Sequence, residues 1–353
     1  MPPDAYLGID LGGTKILAVV GDAQGAALAS ATVSTPAGES PQAAVDAIDS
    51  ASRAALADAR SSLADVARVG IAAAGAIDSA NGLVVHAPQL PAWRNVPLVA
   101  MVRERLGLPA VIGNDADLAA LAEQRFGAGK GVANLLYVTV STGIGGGLII
   151  DNRLYRGQHG FAGEIGHVSV QAGGRYGRSM VAGAVESLAS GAAIAQIAQE
   201  RINAGEASAI ERGPDGVTAP AVFAAYRAGD PLAVSVVRDA IGYLGAALTT
   251  WVNILDPGII VIGGGLSNEW DVYIEPAVRV MRQQAFAEQS RAVPVVPPSL
   301  GAPARPRCAI AHPPPHTAKT KPPPPPAQPT PPPTLGAEAG ALGAIALAAA
   351  DSA

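Results

Sequence analysis

Two stretches of this chain share a plan that few folds accommodate. "YLGIDLGGTKILAVV" opens it, and "LYVTVSTGIGGGLII" returns near the middle. Each sets a strand-like apolar run on either side of a glycine cluster. Tyr6 to Asp10 predicts a strand, Gly12 and Gly13 a turn, and Ile16 to Val20 a second strand. Tyr137 to Ser141 predicts a strand, Gly143 to Gly147 the turn, and Leu148 to Ile150 the return. A small polar residue ends each first strand: Asp10 in one copy, Ser141 with Thr142 in the other. Glycine weakens strands, so it persists where a turn needs positive φ or where another molecule must approach the main chain. The pairing reads as a weak internal repeat of two similar halves. A length of 353 residues agrees with two domains of roughly 150 residues each.

Helix and strand signals alternate after each hairpin. Residues 41–66 are helical by period and alanine content, "VARVGIAAAGAI" is a short buried strand, and "PLVAMVRERLGL" is an amphipathic helix. "PAVIGNDAD" is a strand whose end carries Asn114 and Asp115, and "LAALAEQRFGAG" is a helix with a glycine stop. Further on, "AIAQIAQERINAG", the run from Ala221 to Leu255 and "WDVYIEPAVRVMRQQAF" read as helices, while "PGIIVIGGGLS" is a strand entering a third glycine turn. Polar residues at the C-terminal ends of strands predict an α/β protein with its site at those ends.

Other classes of function fall away on composition. A net charge of −5 without a basic block argues against nucleic acid as a partner. Cys308 is the only cysteine, which excludes an internal disulfide and a thiolate-built zinc site and suits a reducing compartment. "MPPDAYLGID" lacks the regions of a signal peptide. The run "GALGAIALAAA" is too short to span a bilayer and predicts a buried helix. A cytoplasmic protein without membrane or nucleic-acid partners is expected. Residues 302–334 carry proline at a density that forbids helix and central strand, so a polyproline-like, solvated loop is expected there. Cys308, His312 and His316 fall within it; the proline context denies them a common helical face, and a fourth metal ligand is missing.

The glycine turns admit three ligand chemistries. A Walker P-loop needs G-x-x-x-x-G-K-[ST] between strand and helix, a frame that "GAGKG" lacks. A dinucleotide fingerprint opens a helix, whereas these glycines lie between strands. The remaining possibility is a pair of hairpin turns facing each other across a cleft, their bare amides holding the phosphates of one nucleotide. Asp10 would then act through Mg²⁺, with Thr14 and Thr142 adding hydroxyl donors. Phosphoryl transfer to an alcohol also needs a carboxylate to take the proton. Asp115, at a strand end where it can point into the cleft, is the candidate.

"GIDLGGTKI", "GNDAD", "VSTGIGGGLI", "GEIGH" and "VIGGGLS", in this order, resemble the ROK family of bacterial sugar kinases and repressors. The resemblance spans nearly the whole chain outside the proline-rich insert. It implies an actin-like ATPase fold of two ribonuclease H-like domains flanking a cleft, a homodimer, and ATP- and Mg²⁺-dependent phosphorylation of a hexose, glucose to glucose 6-phosphate being the first expectation. It divides the chain into an N-terminal domain, 1–116, completed by a C-terminal helix, 335–353; a second domain, 117–301; and a disordered insertion, 302–334. Asp115 matches the family's catalytic base. Gly75, Asn114, Glu164, His167 and Glu186 match positions that contact the sugar. Asp10, Gly12, Gly13, Thr14, Lys15, Thr142, Gly143, Gly145, Gly264 and Gly265 match those around the nucleotide.

Departures from the family pattern are informative. Most relatives bind a structural zinc with the histidine of "GEIGH" and three cysteines. Here Gly177, Ser179 and Ala184 occupy the cysteine places, so no structural zinc is expected. Gln89 stands where many members have asparagine. Asp117 replaces a common asparagine and adds charge beside Asp115, which raises that carboxyl's expected pKa. Other readings are an N-acetylmannosamine or other N-acetylhexosamine kinase, a polyphosphate-using kinase, a non-catalytic sugar binder and a transcriptional regulator. The first phosphate-loop strand begins at Tyr6, which leaves no room before it for a helix-turn-helix module and favours the kinase.

Overall fold

The computed structural model describes residues 5–36, 38–87, 89–90, 93–177, 180–300 and 339–350. The proline-rich segment with Cys308, His312 and His316, and also Ser179, lie outside the described residues. In the first half, strands β1 (Ala5–Leu11), β2 (Lys15–Asp22) and β3 (Ala27–Ser34) precede helix α1 (Pro41–Asp58) and β4 (Val66–Ala73). Short strands β5 (Ala76–Asp78), β6 (Leu83–His86) and β7 (Arg94–Val96) form a small sheet of their own. Helix α2 (Leu98–Leu106), β8 (Ala110–Asn114) and helix α3 (Asp115–Phe126) follow.

The second half begins with β9 (Leu135–Val140), β10 (Ile144–Ile150) and β11 (Arg153–Leu154). It continues with α4 (Val185–Ala189), α5 (Gly191–Asn203), the ribbon β12 (Arg212–Gly213) and β13 (Gly216–Val217), α6 (Ala219–Arg227) and α7 (Pro231–Leu255). Then come β14 (Ile259–Gly263), α8 (Glu275–Gln284), α9 (Glu288–Arg291), β15 (Val295–Val296) and finally α10 (Ala339–Ala350).

The two large sheets repeat one topology. The first runs β3-β2-β1-β4-β8 and the second β11-β10-β9-β14-β15. Each is a three-strand antiparallel meander extended by two parallel strands. Alternation along the strands sets the layers. Leu7, Ile9 and Leu11 of β1 join Ile48, Ala55, Leu98 and Val102 of α1 and α2 in one core. Leu136, Val138 and Val140 of β9 join α5 to α8 in another. The opposite faces share a middle layer of α3 and α10: Leu118 and Leu121 of α3 pack with Tyr137, Ile149 and Val261 of the second sheet and with Ala344 and Leu347 of α10. Helix α7 is long and apolar enough to cross a membrane by length and composition, but Val236, Val237, Leu244, Leu248 and Trp251 are buried in the second core.

Close packing explains how α10 lies on the first sheet. Gly8 and Gly70 are register partners in β1 and β4. A β-carbon on either would collide with a backbone carbonyl of α10, Ala341 in one case and Ala344 in the other. The two glycines thus form a trough that admits the helix backbone.

Several expectations need correction. Ile144 to Ile150 is one continuous strand, so Gly145, Gly146 and Gly147 lie within β10 and the turn is confined to Ser141–Gly143. Gly147 is bare because α3 crosses there; a β-carbon would stand 2.7 Å from the Ala116 carbonyl oxygen and 2.9 Å from the Asp117 α-carbon. The helix predicted over 41–66 ends at Asp58, with Ser40 as its N-cap and Pro41 in its first turn. The long helical run from Ala221 is two helices, broken where Asp230 caps α7 ahead of Pro231. Strand β3 and the small β5–β7 sheet were not predicted.

Candidate active site

The parallel strands of the first sheet end together, with Asp10 opposite Ala72 and Ala73 opposite Asn114. Helix α3 begins directly after β8. Asn114 is its N-cap: its Oδ1 accepts from the Ala116 amide at 2.9 Å and the Asp117 amide at 3.5 Å, the arrangement that satisfies orphan donors of a first turn. Its Nδ2 donates to the Gly75 carbonyl at 3.0 Å, tying the helix start to the loop after β4. Asn114, not Asp115, is therefore the cap, which leaves the Asp115 carboxyl free of that role. Asp115 is exposed at the cleft while packed protein encloses it on the other sides. Burial raises its carboxyl above the ordinary aspartate range; the Ala116 amide, donating to Oδ1 at 2.9 Å, and its own amide oppose that, and the Glu164 charge adds to it.

Two further carboxylates flank Asp115. Burial, then the charge of Asp115, pushes Asp10 up to about 6 against the pull of Lys15. Burial pushes Asp117 up to about 7; Arg156 opposes this, and Glu164 and Asp115 reinforce it. Two acidic side chains that each feel the charge of Asp115 are a costly arrangement for stability and a useful one for chemistry.

A small pocket, open to solvent, adjoins this cluster; Gly75, Ser79, Asn114, Asp117, Phe161 and Glu164 contribute to its wall. Gly75, Asn114 and Glu164 are thus brought together at one wall. His167 and Glu186 are not part of that wall. His167 reaches it indirectly, with Nε2 3.4 Å from Glu164 Oε2, while its Nδ1 is buried without a hydrogen-bond partner. Glu186 turns the other way: its Oε2 accepts from the Ile144 amide at 3.0 Å, so it braces the second glycine turn. Gln89 packs against Gly13, where a β-carbon would stand 2.5 Å from the Gln89 β-carbon.

The glycine turns are fixed by their own hydrogen bonds. In the first, Gly12 donates its amide to the Lys15 carbonyl at 3.1 Å and accepts from Thr35 Oγ1 at 2.7 Å; Thr14 and Lys15 are exposed. In the second, the Ser141 carbonyl accepts from the Gly191 amide at 2.8 Å and the Thr142 carbonyl from Ala192 at 3.2 Å. The start of α5 therefore holds the carbonyl side of that turn. Gly264 has φ of +85° and lies against Val140, and a β-carbon on Gly265 would lie 3.4 Å from Ser141 Oγ, so the third turn rests on the second at the ends of β9 and β14. Gly145 stands apart from these turns, paired with Thr139 inside β10.

Among the described residues, no group of three or more His, Cys, Asp and Glu side chains is arranged to hold a metal ion. Around His167, Gly177 and Ala184 offer no side-chain donor, and a single imidazole does not satisfy zinc. Protein contacts tie this loop: Ser169 pairs with Ala184 and Tyr176 with Ala182, and Arg175 makes a two-point ion pair with Glu200 at 2.9 and 3.2 Å. The donors that Asp10 presents are carboxylate oxygens, the kind Mg²⁺ takes beside substrate phosphates. The brace from Glu186 to Ile144 escaped the sequence analysis because its acceptor meets a backbone amide, which leaves no residue-type signal.

The ROK family profile matches residues 6–310. A glucokinase from Streptomyces coelicolor is 39% identical over 276 residues, covering 76% of this chain and 84% of that protein. Among solved structures, a ROK hexokinase from Thermus thermophilus aligns with a TM-score of 0.77 at 29% identity, covering 99% of each chain. A ROK family glucokinase from Streptomyces griseus in complex with glucose and AMPPNP aligns with a TM-score of 0.71 at 34% identity, covering 98% of this chain and 99% of that one.

Proposed function

Because the chain belongs to the ROK family, we propose that it is an ATP-dependent hexose kinase that phosphorylates glucose to glucose 6-phosphate. One observation carries the assignment. Asp115 stands at the start of the helix sandwiched between the two sheets, exposed at the cleft and joined through Asn114 to the Gly75 side of a pocket. The sugar hydroxyl gives its proton to Asp115 as its oxygen bonds to the γ-phosphorus and the bond to the β-phosphate oxygen breaks, leaving ADP. A carboxyl raised above the usual aspartate range accepts that proton more readily than an ordinary one.

The other residues bind and orient. Asn114, Gly75 and Glu164 hold the hexose, and His167 steadies Glu164. Gly12, Gly13, Thr14, Lys15, Thr142, Gly143, Gly264 and Gly265 surround the nucleotide, with Glu186 keeping the second turn in shape. Asp10 would offer Mg²⁺ its carboxylate oxygens, and the ion would supply charge neutralisation on the phosphates. A homodimer, a cytoplasmic location and the absence of stoichiometric zinc belong to the same proposal; one tightly held zinc per chain by elemental analysis would contradict the last.

ADP release measured against a panel of hexoses tests the assignment. Glucose turnover is expected from the wild type. Asp115→Asn is expected to lose on the order of 10²–10⁴ in kcat while still binding glucose by calorimetry. A variant retaining turnover within about tenfold of wild type removes Asp115 from the role of base.

A further inference from the structure

Asp117 is used neither by its helix nor by the core. Asn114, not Asp117, caps the helix, yet the Asp117 side chain is turned inward: the residue is 5% exposed and its Oδ1 is buried without a hydrogen-bond partner. A buried carboxyl with an unmet oxygen is costly and calls for an explanation. The residue contributes to the wall of the pocket shared by Asn114, Glu164 and Gly75. Gly163, with φ of +95°, covers it; a β-carbon there would lie 3.6 Å from Oδ1. Arg156, at the base of the same covering loop, exerts the main opposite charge on Asp117, and its Nε is likewise buried and unpartnered. An acceptor and a donor, both unmet and electrostatically coupled, suit a hydroxyl-bearing ligand, because a hydroxyl both gives and accepts a hydrogen bond.

Resting on the kinase assignment, we propose that Asp117 is a specificity-determining residue whose carboxyl hydrogen-bonds a non-reacting hydroxyl of the bound hexose. Asp115 takes the proton of the reacting hydroxyl, and Asp117, two residues further along the same helix, reads another part of the ring.

The test is steady-state kinetics of wild type, Asp117→Ala and Asp117→Asn with glucose and with each monodeoxyglucose that keeps the reacting hydroxyl. Asp117→Ala is expected to raise KM for glucose about ten- to a hundredfold with kcat within about threefold. For one deoxy sugar, the one lacking the recognised hydroxyl, wild type and variant should have the same KM. Asp117→Asn keeps an acceptor oxygen and is expected to lose less, with the loss confined to the same hydroxyl; being nearly isosteric, it carries the test if the alanine variant does not fold. An equal penalty across every deoxy sugar, or a KM within about twofold of wild type for glucose, overturns the proposal while leaving the kinase assignment intact. A wild-type protein inactive with every hexose overturns both.

Discussion

Asp10 shows how a single side chain can record the conflict between folding and chemistry. The backbone of α10 closes over it: a β-carbon on Gly340 would stand 3.0 Å from the Asp10 carboxyl. That burial, with the charge of Asp115, lifts the group from 3.8 to about 6. The folded chain therefore binds this proton more tightly than the unfolded chain. Its unfavourable contribution is absent in acid and develops as pH rises from about 4 to 6. Asp10→Asn removes it, so the variant should be more stable than wild type at pH 8 by about 1–3 kcal/mol and equal to it near pH 4. Thermal melting at both pH values checks this, and a difference that does not change with pH would refute it. At this scale Asn114 and Asp115 were legible from the sequence, because polar residues ending an apolar strand have few other uses. The partner of Glu186 was not legible, since the Ile144 amide is brought to it only by the packing of α4 against β10.

At the scale of elements, glycine carries two messages that look alike in a sequence. Gly12 and Gly13 mark a turn, whereas Gly145 to Gly147 continue a strand whose surface had to be bare for α3 and the loop around Ile165. Glycine content alone does not separate the two; the crossing element does. Strand β3 was hidden for a related reason, as an edge strand with no fully buried residue offers little hydrophobic alternation. The break between α6 and α7 was passed over, although Asp230 before Pro231 carries the signal of a helix start. The Gly8–Gly70 trough makes a sharp prediction. Gly70→Ala puts a methyl group into the Ala344 carbonyl, a backbone atom held by its own helix, and should cost at least about 2 kcal/mol in chemical denaturation. Gly242→Ala, in α7 with open space around it, should stabilise by about 0.5–1 kcal/mol. Similar losses from both would mean the trough is not tightly packed.

At the scale of the whole molecule, two copies of one sheet plan face each other across a layer of two helices. The repeated hairpins announced that plan, while the shared layer depends on contacts between distant segments that no local pattern encodes. Leu300 packs into the same small cluster as Ala341, Leu342 and Ile345 of α10. Glu123, fully buried in α3, fixes that exit by accepting from the Ser299 amide and hydroxyl and the Leu300 amide. The chain thus leaves and re-enters the described structure at one place. The sequence reads residues 303–333 as a solvated loop; their replacement by a short flexible linker should change stability by less than about 1 kcal/mol, since closure entropy grows only logarithmically with length, and should preserve turnover. Removing α10 as well should abolish cooperative melting of the first half.

The trough made by Gly8 and Gly70 also governs the order of assembly. These strands leave the ribosome long before the helix they receive, so this half waits with one face of its sheet bare while the other half is being made. Biogenesis of this enzyme therefore hinges on sheltering an early surface until a late segment arrives.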